Sequence, residues 1–416
     1  MLSSRLPKDL SPSPFFAELE RVKASMLAEC AAANALPFID MTVSSPVKAG
    51  LPIDMDKAVE ESRKDFGCWN PDAAGWMSAR EAVVEYYRER GGNFDAGQII
   101  LTASTSEAYS VLFKAFCDPG DVILTPMPGY PLLDTLAQLE HLECAPYFLK
   151  LKREKPSVMA ASEPPSGRLN GTHDIRFVLD TDSLLAAPEK AKILLLVSPH
   201  NPTGHCVSRT EWNEVVSFCE QHNLILVVDE VFGDYGFSDD VRRSWTFLAD
   251  SKPKCPIFWL NGLSKAVGSP QLKLGWMAFY APEEQFEPIR AALEFVEDAY
   301  LSVSAPAQAL GASLLKQSAA YESQVRERLL TNWNTLRQAF PSKYCPEVIG
   351  GWYAAIRLGE DDEELTLELL REKHVLVQPG FFFDFDEDGW VVVSLLQEPA
   401  LFKEAVERIL YITREN

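Results

Sequence analysis

The sequence predicts an α/β protein: a doubly wound, mostly parallel sheet in a large domain, followed by a smaller α+β domain. From residue 98 onward, short apolar runs alternate with amphipathic segments, which is the rhythm of strand and helix in doubly wound folds. The run at 192–197 is apolar without polar alternation, which is typical of parallel strands covered on both faces. These two observations fix the predicted class of the large domain.

The elements of the large domain follow in order. Strands are predicted at 98–102, 122–124, 192–197, 224–228, 257–260 and 274–280. Helices are predicted at 106–116 and 209–222, where apolar residues recur with helical spacing. The stretch 154–170 is rich in Pro, Ser, Gly and charge, and we interpret it as a surface excursion between two strands.

The pattern changes after residue 283. A long helical region with breaks near 302–306 continues to about residue 340, and it is followed by predicted strands at 352–358, 375–378 and 390–396 and helices at 363–373 and 399–412. A helix at 12–35 has no partner of its own, so we assign it to this second unit. We therefore expect residues 1–50 to form an N-terminal arm and part of the small domain. Residues 51–300 form the large domain, and 301–416 form the small C-terminal domain.

Composition excludes several classes of partner. The 416 residues contain 39 Lys and Arg against 60 Asp and Glu, which gives a net charge of −21. Nucleic acid and anionic membrane surfaces are therefore unfavourable partners. No apolar run approaches the roughly 20 residues of a membrane span, and the first residues lack the apolar stretch of a secretory signal.

Cysteine usage indicates the compartment. The eight cysteines are scattered and form no CxxC pair, so we expect neither disulfides nor a zinc or other metal site. A chain of this length with reduced thiols is expected in the cytosol.

Four segments carry candidate chemistry, and each follows a predicted strand, where open α/β sheets place their ligands. Residues 103–107 are small and hydroxyl-rich, so they serve either as a helix cap or as a seat for a phosphate. Residues 198–204 form a Pro- and Gly-containing turn that also holds an asparagine. At 229–232 two carboxylates end a strand, either as a cap or as the partner of a buried cation. At 262–265 a lysine is either a solvated loop residue or a Schiff-base lysine.

The order and spacing of these segments are more specific than any one of them. Asn201, in an Asn-Pro-Thr-Gly run, precedes Asp229 by 28 positions, and Asp229 precedes Lys265 by 36. This set resembles the class I/II aminotransferase family, which consists of pyridoxal 5'-phosphate (PLP) enzymes of fold type I. The resemblance extends from about residue 38 to the C-terminus, and it implies an aminotransferase with PLP as its cofactor.

The resemblance implies roles around the cofactor ring. Lys265 looks like the lysine that binds PLP covalently and later moves the proton. Asp229 is similar to the carboxylate that pairs with the ring nitrogen and so keeps the ring an electron sink. Asn201 matches the residue that bonds the ring oxygen. Tyr130 falls where the family stacks an aromatic side chain on the ring.

The resemblance also implies a phosphate site and a subunit partner. The phosphate positions are Ser104, Thr105, Ser106, Ser264 and Lys273. Trp69 falls where the family commonly has a tyrosine that reaches the phosphate in the neighbouring subunit. A homodimer with shared active sites is therefore expected.

Three cofactor positions depart from the family pattern. Lys273 stands in place of an arginine, so a point charge replaces a bidentate fork. Phe232 stands in place of a tyrosine that shares the ring oxygen with the asparagine, and it has no hydroxyl. Gly262 stands where a phosphate-binding serine is common.

The largest departure concerns the substrate. Val392 stands where the family has the arginine that binds the substrate α-carboxylate, and Arg357 and Arg371 are the nearest alternatives. The expected pocket is apolar and aromatic, formed by the N-terminal arm and by Tyr130, Trp352, Tyr353 and the Phe381 loop. We therefore expect either weaker selection for a free α-carboxylate than the family norm or a clamp rebuilt from an arginine that the sequence does not reveal, and we expect dicarboxylic amino acids to be poor donors. The expected reaction is transfer of an amino group from an apolar or aromatic amino acid to a 2-oxo acid.

Three alternatives remain open at this point. A fold-type-I enzyme with another outcome, such as a lyase, condensing enzyme or oxidase, would share the cofactor residues. A PLP-binding sensor domain would usually accompany a DNA-binding module. The short N-terminal arm and the acidic charge of the chain both disfavour such a module. A nicotinamide dehydrogenase would need a GxGxxG run after an early strand, and the sequence has none there. The identities of the donor and acceptor are not fixed by the sequence.

Overall fold

The structure is a computed structural model that describes residues 3–30, 36–153, 175–238, 241 and 243–415. The strands are β1 Ile39–Asp40, β2 Ile99–Thr102, β3 Val122–Met127, β4 Glu143–Arg153, β5 Ile175–Leu179, β6 Ala191–Val197, β7 Ile225–Asp229, β8 Ile257–Gly262, β9 Gly275–Tyr280, β10 Tyr353–Arg357, β11 Val375–Leu376, β12 Gln378–Pro379 and β13 Trp390–Ser394. The helices are α1 Pro14–Cys30, α2 Met55–Ser62, α3 Met77–Arg88, α4 Thr105–Phe116, α5 Leu132–Leu139, α6 Arg209–His222, α7 Leu263–Ala266, α8 Glu283–Asp298, α9 Ala305–Leu315, α10 Ser318–Ala339, α11 Asp362–Lys373 and α12 Pro399–Glu415.

In the described part of the chain, eight strands form the main sheet in the order β2-β9-β8-β7-β6-β3-β4-β5. β9 runs antiparallel to both of its neighbours, and β5 runs antiparallel to β4. The other pairs are parallel. The predicted α/β class with a mostly parallel sheet is therefore confirmed. The predicted excursion at 154–170 lies outside the described residues, between β4 and β5.

The apolar strands are covered on both faces, as their lack of alternation predicted. Along β6, Leu194 and Leu196 pack into one hydrophobic cluster, and Ile193 and Leu195 pack into another. Successive side chains of a strand point to opposite faces, so both sides of the sheet need apolar residues. Burial of this surface is the main favourable contribution to folding of the large sheet.

The strand register brings the candidate segments to one edge of the sheet. Val197 is aligned with Asp229, and Asp229 with Leu260, so the segments after β6, β7 and β8 begin side by side. On the same edge, Thr102 of β2 and Gly262 of β8 both align with Gly275, the first residue of β9. The turns that follow or precede these residues therefore share one surface.

A second group of elements packs at the C-terminal part of the chain. β10, β13 and β12 form an antiparallel sheet, and β1 pairs in parallel with β11. The N-terminal helix α1 shares a small apolar cluster with Leu370 and Leu376, so the arm lies against this part. The domain limits 1–50, 51–300 and 301–416 stay a prediction. Within the described ranges, no helix combines the length and apolar character that a bilayer crossing requires.

Candidate active site

Lys265 lies at the carboxyl end of β8, on the short helix α7. The turn is closed because Leu263 N–H donates to the Leu274 carbonyl at 3.0 Å. The Tyr235 hydroxyl donates to the Lys265 carbonyl at 2.6 Å. The Lys265 Nζ is 4.6 Å from the ring centroid of Trp352 and 5.4 Å from that of Phe232. The lysine amine is therefore held among aromatic side chains.

This apolar surrounding changes the acidity of the lysine. Burial lowers the pKa of Lys265 to about 8, and the nearby Asp229 carboxylate opposes that change. A lysine with a pKa this close to neutrality has an appreciable fraction of free amine, which is the nucleophilic form. Lys265 is therefore not a solvated loop residue, and its role as a Schiff-base lysine stays a prediction.

Asp229 ends β7 and has a donor on each carboxylate oxygen. The Tyr109 hydroxyl donates to Oδ2 at 2.7 Å, and the Val231 N–H donates to Oδ1 at 3.1 Å. Burial raises the pKa of Asp229, while these two hydrogen bonds and the charge of Lys265 act to lower it. Of the two roles that the sequence left open for Asp229, helix cap or partner of a buried cation, the nearby charge of Lys265 favours the second.

Asn201 lies on the turn beside this carboxylate. Ser198 N–H donates to the Asp229 carbonyl at 3.0 Å, which ties the turn to the end of β7. His200 Nδ1 lies 2.9 Å from Thr203 Oγ1, and burial lowers the pKa of His200 to about 3, so its ring is neutral. Asn201 Oδ1 is buried and has no hydrogen-bond partner among the described residues. Such a group calls for a polar ligand.

The start of α4 forms the candidate anion site. Ser104 is the N-cap of this 12-residue helix, and its Oγ accepts the Glu107 N–H at 3.1 Å. The capping interpretation therefore holds for Ser104. Thr105 and Ser106 are the first helical residues, whose N–H groups have no partner within the helix and favour an anion.

Glycine allows the strands to approach this helix start. A Cβ on Gly275 would lie 3.0 Å from the carbonyl carbon of Ser104 and 3.1 Å from the Thr105 nitrogen. A Cβ on Gly262 would lie 3.0 Å from Gly275 Cα. Gly262, where the family commonly has serine, therefore lets β8 and β9 meet closely beneath the candidate anion site.

Ser264 and Lys273 flank the same edge of the sheet. Ser264 is half-buried on α7, next to Lys265. Lys273 is exposed and has a left-handed backbone with φ of 53°, two residues before Gly275. Gly262, two residues before Ser264, and Gly275, two residues after Lys273, are aligned in the sheet. Gly275 is also aligned with Thr102, three residues before the start of α4. Contact with a phosphate stays a prediction for both.

Tyr130 and Trp69 are both exposed aromatic residues. Tyr130 is 46% exposed, and the adjacent Gly129 N–H donates to the Phe383 carbonyl at 2.8 Å. Trp69 is 79% exposed and lines a shallow surface cleft together with Trp76 and Glu297. Neither Lys265 nor Asp229 lines that cleft.

The substrate side of the site is aromatic and apolar. The ring of Phe232 lies 5.3 Å from that of Trp352 and 5.9 Å from that of Tyr353, centroid to centroid. Val392, in β13, is completely buried and aligned with Ala355 of β10. An apolar position of this kind offers no partner for a carboxylate.

The two arginines considered as replacements for the family's carboxylate-binding arginine form ion pairs with glutamates of this chain. Arg357 forms an ion pair with Glu387, and Arg371 forms one with Glu18 at 2.7 Å. Both guanidinium groups are partly exposed. Both arginines are therefore paired with carboxylates of this chain, and a role for either as a substitute carboxylate clamp stays a prediction.

The structure adds two residues that sequence reasoning missed, Tyr109 and Tyr235. Both are buried, and their hydroxyls contact Asp229 and Lys265, respectively. The sequence could have indicated them, because a tyrosine at a position predicted to be buried normally needs a hydrogen-bond partner for its hydroxyl. Tyr109 lies on the buried face of α4, directly after Ala108.

Comparisons with known proteins agree with this geometry. The family model described as aminotransferase class I and II matches residues 57–409. A tyrosine aminotransferase of Caenorhabditis elegans is 25% identical over 347 residues, covering 81% of this chain and 69% of that protein. An alanine aminotransferase of Mycobacterium tuberculosis is 27% identical over 353 residues, covering 81% of this chain and 76% of that protein.

Solved structures share the fold. The alanine aminotransferase from Pyrococcus furiosus superposes with a TM-score of 0.82 at 21% identity, over 100% of both chains. The aspartate aminotransferase from Thermotoga maritima gives 0.78 at 21% identity, over 99% of this chain and 100% of that one. The chain belongs to the aminotransferase class I and II family, whose members are PLP-dependent and move amino groups between amino acids and 2-oxo acids.

Proposed function

We propose that this aminotransferase holds PLP on Lys265 and takes its amino group from an apolar or aromatic amino acid, with a 2-oxo acid as acceptor. The observation that carries the proposal is the position of Lys265. Its amine has a pKa lowered to about 8 by burial, and it lies within electrostatic reach of the Asp229 carboxylate. A nucleophilic amine and a carboxylate at neighbouring strand ends are what PLP chemistry requires.

The residues fit the cofactor in charge and shape. Asn201 offers a buried amide whose Oδ1 has no partner among the described residues, and its NH2 group is the half that would donate to the ring oxygen. Gly275 leaves room beside the start of α4 that a side chain would fill. The helix start, Ser264 and Lys273 would hold the phosphate, and Asp229 would pair with the ring nitrogen.

Each residue then has a defined task. When bound, PLP supplies an electron sink for the charge that develops on the substrate carbon. Lys265 Nζ, once free, takes the proton from that carbon and returns it, because its lowered pKa suits a general base near neutral pH. The surrounding Trp352 and Phe232 rings exclude water from the amine.

The aromatic side chains beside Lys265 favour particular amino donors. Trp352 and Phe232 are buried and contact one another beside Lys265, so an apolar or aromatic side chain gains from contact with them. The alternative is another PLP outcome, such as a lyase, condensing enzyme or oxidase, which Val392 in place of a cation favours. Formation of a 2-oxo acid from the donor distinguishes transamination from these.

The assignment of Lys265 is tested by fixing the cofactor. Full-length protein incubated with PLP is reduced with borohydride, digested and mapped by mass spectrometry. We expect the label on Lys265, and we expect Lys265→Ala to lose both the label and activity. Lys192→Ala is the matched control, since Lys192 is exposed at the opposite edge of the same sheet, at the start of β6. Label retained on Lys265→Ala would reject the assignment.

We also propose a homodimer in which Trp69 serves the partner's site. Trp69 is 79% exposed and lines a cleft that contains neither Lys265 nor Asp229, as expected of a residue that reaches across an interface. Mixing Lys265→Ala with Trp69→Ala subunits should restore activity, because one site in each mixed dimer then has both residues. A fully active monomer in sedimentation would contradict this.

The cytosol is the proposed location. Among the described residues, Cys206, Cys219, Cys255 and Cys345 are buried free thiols, as expected in a reducing compartment. Imaging of a tagged full-length protein tests the location.

A further inference from the structure

Tyr109 contributes a polar group to the site from a helix that otherwise packs in the core. The side chain is 3% exposed, and its ring lies 6.1 Å from that of Phe113 one turn further along α4. Its hydroxyl reaches Asp229 at 2.7 Å, across 120 positions of sequence. The phenol is therefore rigid, buried and directed at one carboxylate oxygen.

The hydroxyl can only act as a donor in this place. Burial and the adjacent Asp229 carboxylate raise the pKa of Tyr109 well above its ordinary value, so the phenol stays protonated. A phenol that donates to Oδ2 stabilises the ionised form of the carboxylate. The other groups that act on Asp229 are the Val231 N–H, which donates to Oδ1, and the ammonium of Lys265.

Lys265 cannot provide this stabilisation throughout the reaction. Its amine has to lose its charge in order to attach the cofactor and to act as a base. Burial favours the neutral form of Asp229, so a permanent donor is needed when the lysine is uncharged. Tyr109 is such a donor, since its hydroxyl does not change its charge.

We propose that Tyr109 is a positioning residue that keeps the Asp229 carboxylate ionised and fixes its orientation for the cofactor's ring nitrogen. This inference rests on the proposed function, because it assigns Tyr109 to the residue that would pair with PLP. It extends that function by assigning the Tyr109 hydroxyl on α4 as the hydrogen-bond donor that stabilises Asp229.

The test is Tyr109→Phe in the full-length chain, with Tyr147→Phe as the matched control. Tyr147 is also buried and its hydroxyl donates at 2.6 Å, but to the Leu195 carbonyl. The first measurement is the titration of Asp229 in the cofactor-free chain, followed by carboxyl NMR. We expect Tyr109→Phe to move this titration to higher pH and Tyr147→Phe to leave it unchanged.

The second measurement is turnover of the PLP-loaded enzyme against pH. Loss of a hydrogen bond to a charged group typically costs roughly 10- to 100-fold, so we expect kcat to fall by that factor in Tyr109→Phe. The loss should be largest at low pH, where Asp229 is protonated first, and KM should change little. Thermal unfolding of both variants shows that each is folded.

Two results would overturn the proposal. One is an Asp229 titration and a kcat profile in Tyr109→Phe that match the wild type. The other is an equal effect of Tyr147→Phe, which would reveal only a packing role. If the wild-type chain bound no PLP, the proposed function would fail, while the cofactor-free titration would still decide whether Tyr109 sets the state of Asp229.

Discussion

The two sides of the candidate site differ in the residues that form them. On the side of the large sheet, the strand ends carry polar and charged groups: Lys265 after β8, Asp229 at the end of β7 and Asn201 after β6. On the side of β10 and β13, the corresponding positions are apolar. They are Trp352 and Val392, and both side chains are completely buried.

This difference separates chemistry from recognition. The charged groups of the sheet side suit the cofactor, whose ring nitrogen and phosphate are polar. Leaving a carboxylate buried without a cation costs several kcal/mol, so the other side is unsuited to an acidic substrate group. We therefore propose that the molecule combines the cofactor residues of its family with a different way of selecting the substrate.

Among variants that keep Lys265, the largest effect on turnover is expected at Asp229. Asp229→Asn removes the negative charge that pairs with the ring nitrogen, and we expect kcat to fall by roughly 10²- to 10³-fold or more. Glu230→Gln is the matched control, because Glu230 is the next residue and is 1% exposed, with its carboxylate on Ser244 N–H at 2.7 Å. Steady-state kinetics of both variants provide the measurement.

Comparing the two variants distinguishes an effect on the cofactor from an effect on the fold. Near-normal turnover in Asp229→Asn would show that the sheet side does not act on the cofactor as proposed. A loss in Glu230→Gln as large as that in Asp229→Asn would indicate a general disturbance of the β7 end.

A smaller effect is expected at the edge of the cofactor side. Lys273 is exposed, so Lys273→Ala should weaken PLP affinity by only about three- to tenfold, and salt should reduce the difference. Fluorescence titration of the cofactor-free chain with PLP measures this. Lys192→Ala, at the other end of the sheet, should leave the affinity unchanged. An equal loss in both variants would indicate only a long-range charge effect.

The smallest effect on activity, but a clear one on stability, is expected at Glu230. Burial raises the pKa of Glu230 from 4.5 to about 8. The folded state therefore binds more protons than the unfolded state between these values, and the free energy of unfolding should fall as pH rises from about 5 to 8. Denaturant unfolding of Glu230→Gln should show a shallower fall over this window. An unchanged pH dependence would mean that Glu230 is not buried as described.

Much of the fold could be predicted because local signals agreed with tertiary packing. Helix α6 spans Arg209–His222 as predicted, since Ser208 and Glu211 form a capping box at its start and Asn223 ends it in a left-handed conformation. The strand ends that carry Lys265, Asp229 and Asn201 followed from apolar runs of parallel-sheet type. Their adjacency followed from the rule that ligands bind at the carboxyl ends of such strands.

The remaining features depend on contacts between distant residues. Tyr109 and Asp229 are 120 positions apart, and nothing in the helical pattern of α4 names the acceptor. Arg371 has a periodic position on α11, but its partner, Glu18, lies on α1, 353 positions away. Sequence periodicity assigns a face to such a residue, and only the packing of the elements assigns its partner.

The central claim is that the cofactor side retains its chemistry while the substrate side lacks an α-carboxylate anchor. It is tested most directly by the half-reaction of PLP-loaded enzyme with two donors, phenylalanine and 2-phenylethylamine, which differ only in that carboxylate. Conversion of the bound cofactor to its amine form is followed by absorbance, with aspartate as a third donor. A hydrogen bond to a charged group is worth about 1.5–3 kcal/mol, so without the anchor we predict kcat/KM values for the pair within about tenfold. Aspartate should be a poor donor. A preference for phenylalanine of about 100-fold or more, or saturable turnover of aspartate at micromolar concentrations, would contradict the claim.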